Sequence, residues 1–279
     1  MNTRTGAAHV PRRRSRRWKI SLVAVLAVVF ASSQTAQASY EAGMHAFVTN
    51  KFGEALRNFE PMVAQGHSPS QTALGLMYLN GLGVPKSPAR AASLFTAAAA
   101  SGNVAAAHYL GALYQSGVGV PQRLDLAFQW IHTSAQSGYP EAELSLAKYY
   151  QQGVGVAADD EQAALWFGRA AARGLGEGLY RLALLYDAGR GVEQDAAKAA
   201  VLLERASARS NAQARTALGR KYYNGDGVPQ DPVVAYMYLT LGAGLGDDTG
   251  TDLMSQIELE LPPARLGEAR RLARNWRPF

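Results

Sequence analysis

The quartet Gly81-Leu82-Gly83-Val84 determines how the chain is interpreted, because the pattern Gly-x-Gly-Val recurs four times, each copy 36 residues after the one before. The later copies begin at Gly117, Gly153, Gly189 and Gly225. A fixed period of this length is typical of solenoids, in which each unit buries its apolar face only against its neighbours. The rest of the chain is therefore interpreted in this register.

Two apolar patterns flank the quartet in every unit. A leucine stands seven residues before it, followed by a small residue and, four positions after the leucine, a tyrosine, as in Leu146, Ala147 and Tyr150. Large apolar residues stand 13 and 14 positions after the quartet begins, as in Trp166 and Phe167. Spacings of three and four place residues on one face of a helix. Each unit is therefore predicted to be helix A, a glycine loop and helix B, with the small residue where two helices come close.

This pattern resembles the Sel1-like repeat family, relatives of the tetratricopeptide (TPR) repeats with a slightly longer period. The family motif runs A-x-x-x-L-G-x-x-Y-x-x-G-x-G-V, followed by an acidic residue, an alanine and an aromatic, and the five complete units match almost every position. The resemblance implies an all-α fold, a right-handed α-solenoid of helix-loop-helix repeats in a TPR-like superhelix. It is far more specific for the fold than for the function.

The register divides the chain into four segments. Residues 1–38 are interpreted as a signal peptide and 39–66 as a degenerate N-terminal repeat without the glycine quartet. The five regular repeats are predicted at 67–102, 103–138, 139–174, 175–210 and 211–246. Residues 247–279 form a connector and a capping helix, since terminal units of a solenoid must cover a face that has no neighbour. The apolar stripe expected to cover the last repeat is Leu266, Ala269, Leu272, Ala273 and Trp276.

The helix ends carry recognisable signals. The first glycine of each quartet and the residue closing each repeat are expected to end a helix in the left-handed conformation. The second glycine is expected to permit a tight loop that a Cβ would hinder. Helix B is expected to start from a side-chain cap. The expected capping residues are Ser87, Asp159, Asp195 and Asp231. Arg123 breaks this pattern, so that helix is expected to begin a residue or two later, from Asp125.

The net charge of +6 comes from the leader. Of the 28 Lys and Arg residues, seven lie within the first 38 positions, and the remaining 21 stand against 22 Asp and Glu. The chain after the leader is therefore nearly neutral, which removes the main argument for a nucleic-acid partner. The leader has a basic region, an apolar run over 20–31 and the cleavage pattern Ala36-Gln37-Ala38. This pattern predicts export, most simply to a bacterial periplasm with cleavage near Ala38; retention as a membrane anchor and a twin-arginine route remain alternatives.

No catalytic, cofactor-binding or metal-binding residue is predicted. The absence of cysteine excludes disulfides, thiolate metal sites and cysteine nucleophiles. The histidines share no metal-ligand spacing. They are His45, His67, His108 and His132, besides one in the leader. Glycine-rich stretches such as 242–246 fall in the helical register and lack the strand that a nucleotide-binding loop requires.

The positions that vary between repeats are the candidates for binding. One residue before each register leucine and two residues after it lie on a helix A face distinct from the Leu and Tyr stripe. Tyr109, Lys148, Arg181 and Arg220 occupy these positions and would form a peptide-binding strip on the concave surface, although neutral surface variation explains the same pattern.

These observations favour an exported, non-enzymatic adaptor that binds a protein or peptide as a monomer, without a cofactor. Contact with a membrane is expected only if the leader is retained. One alternative comes from the resemblance: some secreted, cysteine-rich relatives have been linked with penicillin binding, which suggests a cell-wall hydrolase, but this chain lacks their disulfides. Another alternative is a structural protein that stacks end to end, which the capping helix opposes.

Overall fold

The computed structural model of the protein describes residues 37–277, and all regular structure in that range is helical. This confirms the predicted all-α class. Fourteen α-helices and one short 3₁₀ helix, Asp248–Gly250, follow one another. The helices are α1 (37–48), α2 (Phe52–Ala64), α3 (Ser68–Asn80), α4 (Pro88–Ala100), α5 (Val104–Ser116), α6 (Leu124–Gln136), α7 (Pro140–Gln152), α8 (Asp160–Ala172), α9 (Gly176–Ala188), α10 (Ala196–Ala208), α11 (Ala212–Asn224), α12 (Pro232–Ala243), α13 (Thr251–Glu260) and α14 (Pro263–Asn275). Most of the predicted signal peptide, residues 1–36, lies outside the described range.

The described chain divides into two compact units, with the boundary after Phe59. In the first unit, Phe59 is fully buried, and a Cβ on Gly43 would come within 2.5 Å of its ring. Phe59 stands 36 residues before Phe95, whose ring lies in the same way against Gly75. The loop between α1 and α2 is shorter than the loops of the regular repeats, so Gly43 takes the place that the strict register gives to residue 39.

The second unit is an α-solenoid of five helix pairs. Helices α3, α5, α7, α9 and α11 are the A helices, and α4, α6, α8, α10 and α12 are the B helices of repeats 1 to 5. Corresponding helices begin 36 residues apart throughout. Each A helix packs against its own B helix, and each B helix packs against the following A helix.

The predicted core positions are buried. Leu146 and Phe167 of repeat 3 are fully buried, and Tyr150 packs at the edge of the same cluster. The small residue after the register leucine lies against the B helix of its own repeat: a Cβ on Gly111 would come within 2.7 Å of Ile131. This confirms the prediction that two helices approach closely at the small residue.

The predicted glycine ends of the helices are confirmed. The first glycine of each quartet adopts a left-handed φ between 63° and 74° and ends helix A. Helix B is followed by a residue with positive φ in every repeat, including the serine at 210 (φ 58°). The chain therefore reverses at positions that the sequence marks.

One predicted helix start is wrong, and one predicted cap residue makes no capping hydrogen bond. Helix α6 begins at Leu124 with Arg123 as its cap residue, because the packing of the repeat holds the register even without a capping side chain. Asp125 lies inside the first turn, where its carboxylate accepts two hydrogen bonds from the Arg123 guanidinium. Ser87 occupies the cap position of α4 but makes no capping hydrogen bond. The aspartates at 159, 195 and 231 cap their helices as expected.

The second glycine of the quartet marks a contact between repeats. The sequence indicated only that this glycine permits a tight loop. In the structure, a Cβ on Gly191 would lie 2.1 Å from the carbonyl oxygen of Asp160, the first residue of the preceding B helix. Gly119, Gly155 and Gly227 meet the first residue of the preceding B helix in the same way. Each loop therefore rests on the backbone of the repeat before it.

The C-terminal segment covers the last repeat. Helix α14 packs on α12 through Leu266 and the buried Ala269, while Ala273 and Trp276 join the apolar cluster of repeats 4 and 5. Leu272 was predicted to belong to this stripe, which is wrong: it is exposed. Leu266, Ala269, Ala273 and Trp276 recur every three or four residues and form the face of α14 that packs on the repeats. Leu272 does not fit this spacing and therefore lies on the solvent side of the helix.

Replacing Leu146 with alanine is expected to lower the free energy of unfolding by about 2–5 kcal/mol, because the cavity would lie in a fully buried cluster. Lys148→Ala, on the same helix but partly exposed, is the matched control and should cost less than about 1 kcal/mol. Urea denaturation monitored by circular dichroism measures both. Equal losses in the two variants would contradict the register.

Replacing Gly191 with alanine is expected to destabilise the protein, since left-handed backbone alone costs a residue with a Cβ about 1–2 kcal/mol and the contact with Asp160 adds to it. Gly168→Ala is the control: this glycine lies inside α8 with open space around its Cβ, so alanine should stabilise by about 0.5–1 kcal/mol. Melting temperatures should shift in opposite directions, and a shift in the same direction would disprove the loop contact.

Candidate partner-binding surface

The four predicted binding residues lie on A helices that touch from one repeat to the next. We call this surface the A-helix face and define it by Tyr109 on α5, Lys148 on α7, Arg181 on α9 and Arg220 on α11. Contacts such as that between Lys148 and Glu177 join successive A helices directly. The register positions these residues, because Tyr109 and Arg181 directly precede the register leucines of their helices and Lys148 and Arg220 stand two residues after theirs.

Two of the four residues come together around a carboxylate. Arg181 Nε donates a hydrogen bond of 2.8 Å to Glu177 Oε1, and Lys148 Nζ lies 3.6 Å from the same oxygen. The side chains of the two bases are 36% and 38% exposed, so they remain accessible to a partner. Sequence reasoning missed Glu177, although its place four residues before Arg181 is a recognisable signal. The charge available for a ligand is therefore one net positive unit rather than two.

The acidity of Glu177 reflects this arrangement. Burial alone would raise its pKa, but the hydrogen bond and charge of Arg181 and the charge of Lys148 outweigh burial, and the pKa lies below its ordinary value of 4.5. A lowered pKa in the folded state means that the carboxylate stabilises the fold at neutral pH. This stabilisation is lost as the pH falls through the folded pKa.

Arg220 is held apart from this pair. Its guanidinium donates to the carbonyl oxygen of Thr249, in the connector that follows the repeats. Burial would raise the pKa of Asp247, but hydrogen bonds from Thr249 and Thr216, with a smaller contribution from the Arg220 charge, outweigh burial and hold that pKa below its ordinary value. Arg220 therefore anchors the connector and is exposed on its outer side.

Tyr109 belongs to an aromatic cluster between repeats 1 and 3. Its ring stacks on Phe95 at 5.3 Å between centroids, and the neighbouring His108 lies 5.5 Å from the ring of Tyr139. Burial, with the charges and hydrogen bonds of Tyr109 and Glu141, raises the pKa of Tyr139 to about 12. The predicted strip is therefore an aromatic cluster, a charged trio and a separate anchoring arginine.

The aromatic cluster contains a serine and a histidine in contact. His108 Nε2 lies 3.1 Å from Ser145 Oγ, while Ser145 Oγ also donates to the backbone carbonyl oxygen of Glu141. The hydroxyl proton is thus directed to the carbonyl, so the imidazole donates to the serine instead of accepting its proton. Nδ1 of His108 has no hydrogen-bond partner within residues 37–277, so no carboxylate orients the ring as a catalytic triad requires. Burial lowers the pKa of His108 and favours the neutral ring.

An ion cluster around the buried Lys221 joins repeats 4 and 5. Lys221 is only 4% exposed, and its Nζ lies 2.5 Å from Asp187 and 2.7 Å from Asp226. Burial opposes the charge on Lys221, but the two carboxylates outweigh burial and raise its pKa. The repeat register gave no indication of this cluster, because the same position holds Met, Leu or Tyr in the other repeats. Because Lys221 pairs with Asp187 of repeat 4 and Asp226 of repeat 5, the cluster stabilises the contact between these two repeats.

No group of three or more His, Asp and Glu side chains within residues 37–277 is arranged to hold a metal ion. None of the helices in the same range combines the length and the apolar character needed to cross a membrane.

The fold and the register place the chain among known proteins. The Sel1 repeat matches it five times, at residues 68–103, 104–139, 140–175, 176–211 and 212–247. The chain belongs to the Sel1 repeat family. Proteins of this family generally act as scaffolds for protein interactions.

Two crystal structures of bacterial proteins are similar to this chain. A protective antigen of uropathogenic Escherichia coli strains, described as displaying an SLR fold, is 28% identical, with a TM-score of 0.77 over 90% of this chain and 56% of its own. A Sel1 repeat protein from Oxalobacter formigenes is 24% identical, with a TM-score of 0.74 over 84% of this chain and 98% of its own. This chain thus spans little more than half of the Escherichia coli protein. No curated protein sequence matches it.

Glu177→Gln is expected to reduce stability at neutral pH and to make little difference in acid. Because the folded pKa of Glu177 is lowered, its contribution is present above 4.5 and disappears as the pH falls. Urea denaturation at a series of pH values measures the gap between the two proteins, which should shrink below pH 4.5. Glu193→Gln, at an exposed loop carboxylate, is the control. A gap that stays constant with pH would contradict the role of the Glu177 charge.

Proposed function

We propose that the protein is an exported, non-enzymatic adaptor that binds a protein or peptide partner on the A-helix face. The observation that carries this proposal is the contrast between two sets of positions. The core positions repeat with similar residue types in all five repeats, whereas the A-helix face carries half-exposed or exposed Tyr109, Lys148, Arg181 and Arg220 in repeats 2 to 5 and Ala73 and Leu76 in repeat 1. A regular scaffold with an irregular accessible face suits the recognition of an extended partner.

The chemistry of the face supports a peptide ligand. Lys148 and Arg181 offer hydrogen-bond donors for carboxylates or backbone carbonyls, and Tyr109 and Tyr139 offer amphipathic rings one repeat away. Glu177 can accept from backbone N–H groups beside the two bases. A partner that replaces these intramolecular contacts with its own polar groups would bind without leaving a buried charge unpaired.

A hydrolase acting on cell-wall material remains the second candidate from the sequence. The contact between His108 and Ser145 is the arrangement nearest to it in the described chain. The hydrogen-bond directions disfavour it, because Ser145 donates its proton to a carbonyl oxygen and the imidazole has no orienting carboxylate. The adaptor role therefore has the better support.

Photo-crosslinking tests the proposed binding face. A photoreactive amino acid placed at Arg181 or Tyr109 is expected to capture the same partner from the cells that produce the protein. The control position is Val201, which is exposed on helix α10 and can carry the probe without burial. Mass spectrometry identifies the adducts. Equal capture at all three positions, or none at residues 109 and 181, would contradict the proposal.

The proposed export can be tested independently of the proposed binding face. The mature protein is expected to lack residues 1–38, so its intact mass should correspond to a chain that starts at the serine at 39. Fractionation should find it outside the cytoplasm. Replacing Ala36 and Ala38 together with larger residues should block processing, since signal peptidase requires small residues there. Full-length protein in the cytosol of wild-type cells would disprove export without bearing on the binding face.

A further inference from the structure

A surface distinct from the A-helix face carries four arginines at two register positions. Helix α8 closes with Arg169 and Arg173, and α10 closes with Arg205 and Arg209, so that the pairs are 36 residues apart. The other repeats carry small or apolar residues there: Ala97 and Ser101, Thr133 and Ser137, Leu241 and Leu245. The arginine pairs are therefore a feature of repeats 3 and 4.

Each pair lines a groove between its own repeat and the preceding one. The first groove, of about 480 Å³, is lined by Arg169 and Arg173 together with Gly138, Glu143 and Ala172. The second, of about 220 Å³, is lined one repeat later by Arg205 and Arg209 with Gly174, Leu179, Glu204 and Ala208. The register makes these equivalent grooves, with Leu179 in the second where Glu143 stands in the first.

The four guanidinium groups are almost free of intramolecular neutralisation. Within residues 37–277, only Arg173 has an ion pair, with its Nε 3.8 Å from Glu143 Oε2, which is too long for a hydrogen bond. Arg169 lies over the ring of Trp166 at 4.3 Å, and the second pair has no ion pair in the same range. Arginines at helix ends often bond the last carbonyl groups. None of these four does so within the described chain, so their donors remain available.

Glu143 adds a second feature to the first groove. Its side chain is only 3% exposed, and Oε2 has no hydrogen-bond donor within residues 37–277. Buried polar atoms in proteins nearly always have a partner. Glu143 Oε2 lies at the wall of the first groove, and its one ionic neighbour within residues 37–277 is Arg173, at 3.8 Å.

We propose that the two grooves bind one extended acidic segment of a partner protein. Carboxylates of the segment pair with the arginines of each groove, and a backbone N–H of the segment donates to Glu143 in the first. Leu179 and Ala208 provide an apolar floor for an intervening side chain in the second groove. The leader of this chain is basic, so it does not complement the grooves.

Fluorescence anisotropy with the full chain tests the proposal. The probe is a short labelled peptide of alternating Glu and Ala, and the same peptide with Lys in place of Glu is its control. The double variants R169Q/R173Q and R205Q/R209Q should each weaken binding of the acidic peptide at least about tenfold, because each removes two charge-assisted hydrogen bonds. R271Q/R274Q, which removes two exposed charges from α14, should change binding by less than about twofold.

Thermal denaturation of each variant verifies that it is folded. The proposal is overturned if the acidic peptide does not bind, if R271Q/R274Q weakens it as much as the groove variants, or if a single-stranded oligonucleotide binds more tightly than the peptide. Glu143→Leu introduces the residue that repeat 4 naturally carries and should weaken peptide binding despite removing a negative charge. Stronger binding by this variant would disprove the N–H acceptor role. None of these results depends on the A-helix face.

Discussion

The structure of the repeats depends on the contact between one glycine and the backbone of the preceding repeat. At four successive junctions, the second glycine of the quartet leaves no room for a Cβ beside the first residue of the earlier B helix. Loop and helix are therefore in van der Waals contact through backbone atoms. Because this contact recurs at every period of 36 residues, each repeat is set against the last in the same way. Side chains need only fill the space that the backbone leaves.

The sequence predicted the parts of the fold that repeat. Leu146, Phe167 and their equivalents were assigned to the core because their spacing recurs, and the glycine ends of the helices follow from the conformation that only glycine adopts easily. The sequence predicted that the second glycine stands where a Cβ would not fit. It did not show that the atoms a Cβ would meet belong to the preceding repeat. Leu272 and the start of α6 were wrong, because packing decided them and local signals did not.

The candidate surfaces were less predictable, since binding residues occupy the positions where the pattern changes. The spacing placed Lys148 and Arg181 on one face, but not the shared contact with Glu177, which joins two helices whose relative position depends on the loops. Lys221 stands at a position that holds Met, Leu or Tyr in the other repeats, and Glu143 stands where other repeats hold Gln, Ala, Leu or Arg, so the burial of both became visible only in the structure. The 36-residue spacing of the arginine pairs in α8 and α10 is visible in the sequence, whereas the grooves beside them are visible only in the structure.

Native-state hydrogen exchange tests the central claim most directly, because a chain stabilised by contacts between neighbouring repeats should open from its ends. We expect amide protection to be greatest in α5 to α10, which have regular repeats on both sides, and to fall towards α3 and α4. Uniform protection from α3 to α12, or protection concentrated in the terminal repeats, would contradict the account.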